Sequence, residues 1–198
     1  MEDLNEQDLE NNSNNSVEDM LTYIMYKMNY PTEDYYWGIN HLIDIYPKMP
    51  DVRLAILGAY LSSTWLSSRA NPFLQQLNAH VGQVDKHTEA IIHYLNAYDI
   101  YAKQTNPYPP HYKEELEKSV SLSSRFVYNR LRLSEVTSGS RKKALIQEAI
   151  EHVEEIWSES DLLQSNYDSE LHYDGYVSEF ILGISISDYE FRNLKAML

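Results

Sequence analysis

Apolar residues return at steps of three and four along most of this chain, a period that helices satisfy and strands do not. In TEAIIHYLNAYDIY, residues 88–101, Ala90-Ile91, Tyr94 and Ala97 share one helical face. The same order of small, apolar, large and apolar positions occurs at Gly38-Ile39, Leu42 and Ile45, and again at Ala149-Ile150, Val153 and Ile156. A small residue lets a neighbouring helix come close, and the large residue a turn later fills the groove beside it. Breakers are few, 6 Gly and 7 Pro in 198 residues, which favours long helices over many short strands. No segment alternates like a strand between hairpin turns. The expected fold class is all-α, with about eight or nine helices in antiparallel hairpins forming one domain over residues 16–198.

Start and stop signals place the elements. Ser16 followed by Asp19 reads as a capping box for a first helix ending before Pro31. A second helix opens at Pro31 with acids in its first turn and closes at Pro47 and Pro50. Asp51 caps a third, expected over 52–68, and a short helix follows over 71–80. Asp85 caps a long helix that fades at Gln104, before the proline-rich loop at 105–110. One continuous helix is expected over 111–136, another over 141–161, one through Tyr173, Val177 and Phe180, and a terminal one after the Ser187–Glu190 capping box. Residues 1–15 carry five acids and no Lys or Arg, and are expected to form a disordered acidic tail.

Composition excludes several chemistries. With no cysteine there can be no disulfide, thiolate metal site or thiol catalysis. No apolar run is long enough to cross a bilayer, and the N-terminus has no basic or apolar signal region, so a cytoplasmic location is expected. A net charge of −14 argues against nucleic-acid or anionic-membrane partners and permits a basic protein partner.

The segment 34–66 carries a motif resemblance. Pro50 stands eight residues after Leu42, and the next helix offers Leu54, Leu57-Gly58 and Leu61. This resembles the W-x2-L-G-x2-Y first helix of a tetratricopeptide repeat, with Gly38-Ile39, Leu42 and Ile45 similar to the second helix of the repeat before it. Leu54 stands for the aromatic and Leu61 for the tyrosine, and the recurring pattern is spaced by 52 and 59 residues rather than by one repeat length. The resemblance implies stacked helical hairpins, a protein-interaction surface and no catalytic residues.

A search for chemistry is otherwise thin. There is no P-loop, dinucleotide fingerprint or nucleophile elbow. Ser119, Ser121, Ser123 and Ser124 are paired with no base by motif. Seven histidines include two i,i+4 pairs, Glu89/His93 and Glu148/His152, which on facing helices could hold a metal or serve an enzyme. A solvated i,i+4 contact is the expected fate of these pairs, and no metal or cofactor is expected.

Tyrosine is the outlier, 17 against 4 Phe. Its ring packs while its hydroxyl stays wet, so it suits helix seams and interface hot spots alike. Tyr35, Tyr36, Tyr60, Tyr94, Tyr98 and Tyr101 are the candidates for a tyrosine-lined groove. From Ala144 to Phe191 there are 12 acids and no Lys or Arg, among them Glu151, Glu154, Glu155 and Glu159. Arg125, Arg130, Arg132, Arg141, Lys142 and Lys143 cluster just before. Either a basic helix docks on the acidic one, or the acids form a surface that steers a basic partner. The expectation is a non-catalytic protein- or peptide-binding module, with an acidic immunity or antitoxin-type inhibitor of a basic toxin, in a bacterial-type cytoplasm, as the favoured subclass. A helical enzyme or metal protein using the Glu/His pairs is the alternative.

Overall fold

The caps show how local sequence starts these helices. Ser16 N donates to Asp19 Oδ2 at 2.9 Å and Asp19 N donates back to Ser16 Oγ at 3.1 Å, a reciprocal capping box. Asp51 accepts from Arg53 N at 2.8 Å, and Asp85 accepts from His87 N and Thr88 N at 2.9 and 3.0 Å. The computed structural model describes residues 16–29, 35–66, 70–123, 127–164 and 188–198; among these, the side chains of 25, 26, 28, 29, 35, 155–164 and 188–191 lie outside the description.

The described residues form nine helices and no strand: α1 (Val17–Asn29), α2 (Tyr35–Ile45), α3 (Val52–Trp65), α4 (Leu74–Asn78), α5 (Lys86–Ala102), α6 (Pro110–Leu122), α7 (Val127–Glu135), α8 (Gly139–Gln164) and α9 (Asp188–Ala196). The chain is therefore all-α. The expected tail at 1–15 and the helix through Tyr173 lie outside the described residues. No described helix is long and apolar enough to cross a membrane.

Two expectations are corrected here. The continuous helix over 111–136 is two helices, because Ser123 leaves helical geometry at φ −137° and ψ 125°. Serines compete with the helix through their own side chains, and this stretch is rich in them. The break is held from outside: Arg130 Nη1 donates to the Ser123 carbonyl at 2.9 Å, and His87 Nδ1 lies 2.7 Å from Ser123 Oγ. The short helix expected over 71–80 is also reduced to Leu74–Asn78, with turns on either side.

Helix α3 is buried almost all round, from Leu54 to Ala59 and again from Leu61 to Ser63, which is the signature of a central helix. It packs against α1, α2, α4 and α5. Gly58 lets the Phe73 ring lie against its backbone. The helices α5 and α6 are antiparallel: His87 meets Ser123, Ala90 O accepts from Ser119 Oγ at 2.6 Å, and His93 meets Glu115. The main core joins α1 to α6 and takes in Leu133 and Leu145. A second cluster of Val127, Ile146, Ala149, Ile150, Val153 and Leu194 ties α7, α8 and α9 together.

The recurring small-residue positions face these cores. Ala90, Ala97 and Ala149 are fully buried, and so are Ile39 and Leu42. One polar seam joins α3, the following turn and α5. Ser63 Oγ donates to the buried Asp99 carboxylate at 3.1 Å, and Asn71 Nδ2 reaches Ser63 Oγ at 2.9 Å and the Ala59 carbonyl at 2.7 Å.

Candidate interaction surface

Helix α5 sets Tyr94, Tyr98 and Tyr101 on one face, since four- and three-residue steps return to the same side. Tyr60 reaches that face from α3, stacked on Tyr98 at 5.5 Å between centroids and 10° between planes. Tyr94 stacks on Tyr98 at 5.8 Å, and Tyr98 on Tyr101 at 6.2 Å. The row continues through the α5–α6 loop: Tyr101 meets Tyr108 at 6.3 Å, and Tyr108 meets Tyr112 at 4.4 Å. Six tyrosines from α3, α5, the loop and α6 thus form one stacked row. Offset stacking adds about 0.5–1.5 kcal/mol per pair beyond area burial, so the row also fixes the helices it joins.

The two sides of the row differ. Tyr94 and Tyr112 are buried, while Tyr60, Tyr98, Tyr101 and Tyr108 are half-buried. Arg132 of α7 lays its guanidinium 3.8 Å over the Tyr101 ring and donates to Glu135 at 2.9 Å. Burial pushes the Tyr60 hydroxyl up to about 12 and drives those of Tyr94 and Tyr112 higher still. At neutral pH these groups present ring faces and hydroxyls, not phenolates. Tyr112 Oη and Arg132 Nε are buried without a hydrogen-bond partner among the described residues.

The row ends in an open cleft of about 380 Å³ beside Tyr108, Pro109 and Pro110.

Of the six tyrosines expected to line a groove, the structure unites Tyr60, Tyr94, Tyr98 and Tyr101. Tyr36 lies outside the row, exposed on α2, with its hydroxyl donating to the Trp65 carbonyl at 3.4 Å. Tyr35 begins α2 and its side chain is outside the description. Tyr108, Tyr112 and Arg132 complete the row. Tyr108 and Tyr112 carry the same four-residue step as Tyr94 and Tyr98, a signal that spans the loop-to-helix boundary.

The acidic helix is partly neutralised. Arg130 Nε and Arg141 Nη1 reach the two oxygens of Glu148 at 3.1 and 3.4 Å, and Lys195 of α9 pairs with Glu154. Glu151 is exposed and accepts from Gln147 at 2.9 Å. Glu155 and Glu159 lie on α8 with side chains outside the description. Docking of the basic segment on the acidic helix therefore accounts for Glu148.

The Glu89/His93 pair is not the solvated contact expected. His93 is 8 % exposed and sits in the α5–α6 seam, its Nδ1 2.7 Å from Glu115 Oε2 and its Nε2 3.9 Å from Glu89 Oε1. It is buried because it lies one turn from Ala90 and Ala97, on the side that α6 covers. Glu89 also accepts from Gly82 N at 3.1 Å, where a φ of +76° favours glycine. Lys118 donates to Glu115 at 2.7 Å. Burial acts to raise the Glu115 carboxyl, but the hydrogen bonds from His93 and Lys118 outweigh it and hold the group at about 2. Among the described residues no group of three or more His, Asp or Glu is placed to hold a metal ion. Glu148 is committed to arginines, so the two Glu/His pairs do not converge on one another through it.

Sequence motifs gave Ser123 no base, yet the structure sets His87 beside its hydroxyl. Ser123 is buried and Arg130 clamps its carbonyl, so the contact closes α6 against α5 and α7.

No protein-family model, no curated protein and no solved structure matches the chain.

Proposed function

We propose that this protein is a non-catalytic module that binds another protein or peptide through its tyrosine row. The stacking of Tyr60, Tyr98, Tyr101 and Tyr108, half-buried and drawn from three segments, carries the reading. A binding hot spot needs large side chains that lose little entropy when covered. Rings already held by their neighbours meet that need, and each keeps part of its surface for a partner. The net charge of −14 supports a basic partner, whose approach it would steer. An inhibitor that occludes the cleft of a basic toxin is the subclass this charge suits.

The test is capture on the immobilised chain at low and raised salt, comparing wild type with Tyr98→Ala and Tyr108→Ala. Circular dichroism checks that each variant folds. A loss of about tenfold or more in retained partner for a folded variant is expected, the size of one hot-spot residue. A partner held equally by all three proteins, or none at either salt, would overturn the proposal.

A further inference from the structure

The cleft at the end of the tyrosine row has a composition of its own. Tyr108, Tyr112, Pro109, Pro110 and Val136 supply apolar wall, and α6 brings Glu114 and Glu117 to it. These two carboxylates stand three residues apart and therefore on one side of the helix. Lys113 is the counter-charge, 3.6 Å from Glu117, in a pair whose members are about half exposed at 48 % and 57 %. Such a pair is weak and exchanges readily. At about 380 Å³ the cleft is near the small end of ligand sites, suited to a side chain rather than to a large cofactor.

The row already shows how it treats a cation. Arg132 lays its guanidinium on Tyr101 and donates from Nη1 to Glu135. Next along the row, Tyr108 borders the cleft with Glu114 and Glu117 in reach of the same opening. Aromatic ring, apolar wall and carboxylate recur there without an arginine of this chain among the lining residues.

We propose that this cleft takes an arginine side chain of a partner polypeptide. Its methylene stem lies along Pro109, Pro110 and Val136, and its guanidinium reaches Glu114 and Glu117. Arginine fits better than lysine because a planar fork can address two carboxylates and lie against a ring. Charge complementarity selects it, in a chain of net charge −14. The inference rests on the binding reading above and adds the chemistry of the partner's anchor.

The experiment is a heteronuclear NMR titration of the full chain with acetylated tetra-arginine, and with tetra-citrulline as the neutral isostere. Saturable shifts confined to 108–117 and the neighbourhood of Val136 are expected with tetra-arginine alone. Glu114→Gln with Glu117→Gln should weaken binding about tenfold. Asp44→Asn with Glu18→Gln removes the same charge elsewhere and should change it less than about twofold. Equal weakening by both double variants, shifts spread over the acidic face of α8, or no shifts would each overturn the proposal. The two readings fail separately: Tyr98→Ala without effect on partner capture removes the row, whereas a silent cleft leaves it standing.

Discussion

Gly58→Ala sets two effects of known size against each other. In an isolated helix the change would stabilise by about 1 kcal/mol, since glycine is the poorer helix former. Here the new Cβ would lie 2.7 Å from three carbons of the Phe73 ring. Ordinary carbon contacts are about 3.5–4.0 Å, so the ring would have to retreat by about 1 Å. Little allows it to. Phe73 is 2 % exposed and meets the Tyr46 ring edge-on at 6.1 Å. Its backbone N donates to Asn71 Oδ1 at 3.0 Å, and Asn71 is itself tied to the Ala59 carbonyl at 2.7 Å. Overpacking of a closed core costs about 1–3 kcal/mol, and a ring braced on both sides belongs near the top of that range. The net expectation is destabilisation of about 1–2 kcal/mol. For a chain of this length that lowers Tm by roughly 2–8 °C. Thermal and urea unfolding followed at 222 nm would measure it. Adding Phe73→Leu should make the two changes less costly together than their sum, as coupled neighbours do. A raised or unchanged Tm in the single variant would refute the close-approach argument for α3.

Three further outcomes follow from the seams. Glu115 has a carboxyl held at about 2, below its ordinary 4.5, so the stability it contributes is present above about pH 4.5 and drains as pH falls towards 2; Glu115→Gln should flatten that part of an acid-unfolding curve. Tyr60 is shifted upward, so its contribution is full below about pH 10 and is lost as pH rises through about 12; absorbance at 295 nm should show a delayed class of tyrosines that ionises normally in urea. Arg130 is 6 % exposed and bonds Ser123, Asn129 and Glu148, so Arg130→Ala should cost about 2–3 kcal/mol in urea unfolding, and a change under about 0.5 would remove it from the α6–α7 junction.

The helices were legible because their signals are local. Asp51 and Asp85 cap where expected, and Ala90, Ala97, Gly38 and Ala149 are buried where the spacing sets them. The break at Ser123 was not legible, because what holds it comes from His87 and Arg130 on other helices. His93 misled for the same reason: its carboxylate neighbour Glu115 is distant in sequence. Four of the six candidate tyrosines meet because α5 repeats a helical step and α3 packs beside it. Tyr36 carries the same side chain, but α2 turns it to solvent, a direction that composition does not encode. Gly58 was legible as a small residue on α3, but its neighbour Phe73, a residue beyond the 34–66 motif, was not.

The central claim is that a partner covers the tyrosine row, and site-directed photo-crosslinking addresses it at the residue level. A benzophenone side chain would replace Tyr60 or Tyr108, the half-buried residues toward either end of the row, and in a control the exposed Asp44 of α2. Irradiation in the presence of the retained partner should give a crosslinked product from both row positions and little from Asp44. Crosslinking from Asp44 with none from Tyr60 or Tyr108 would contradict the account.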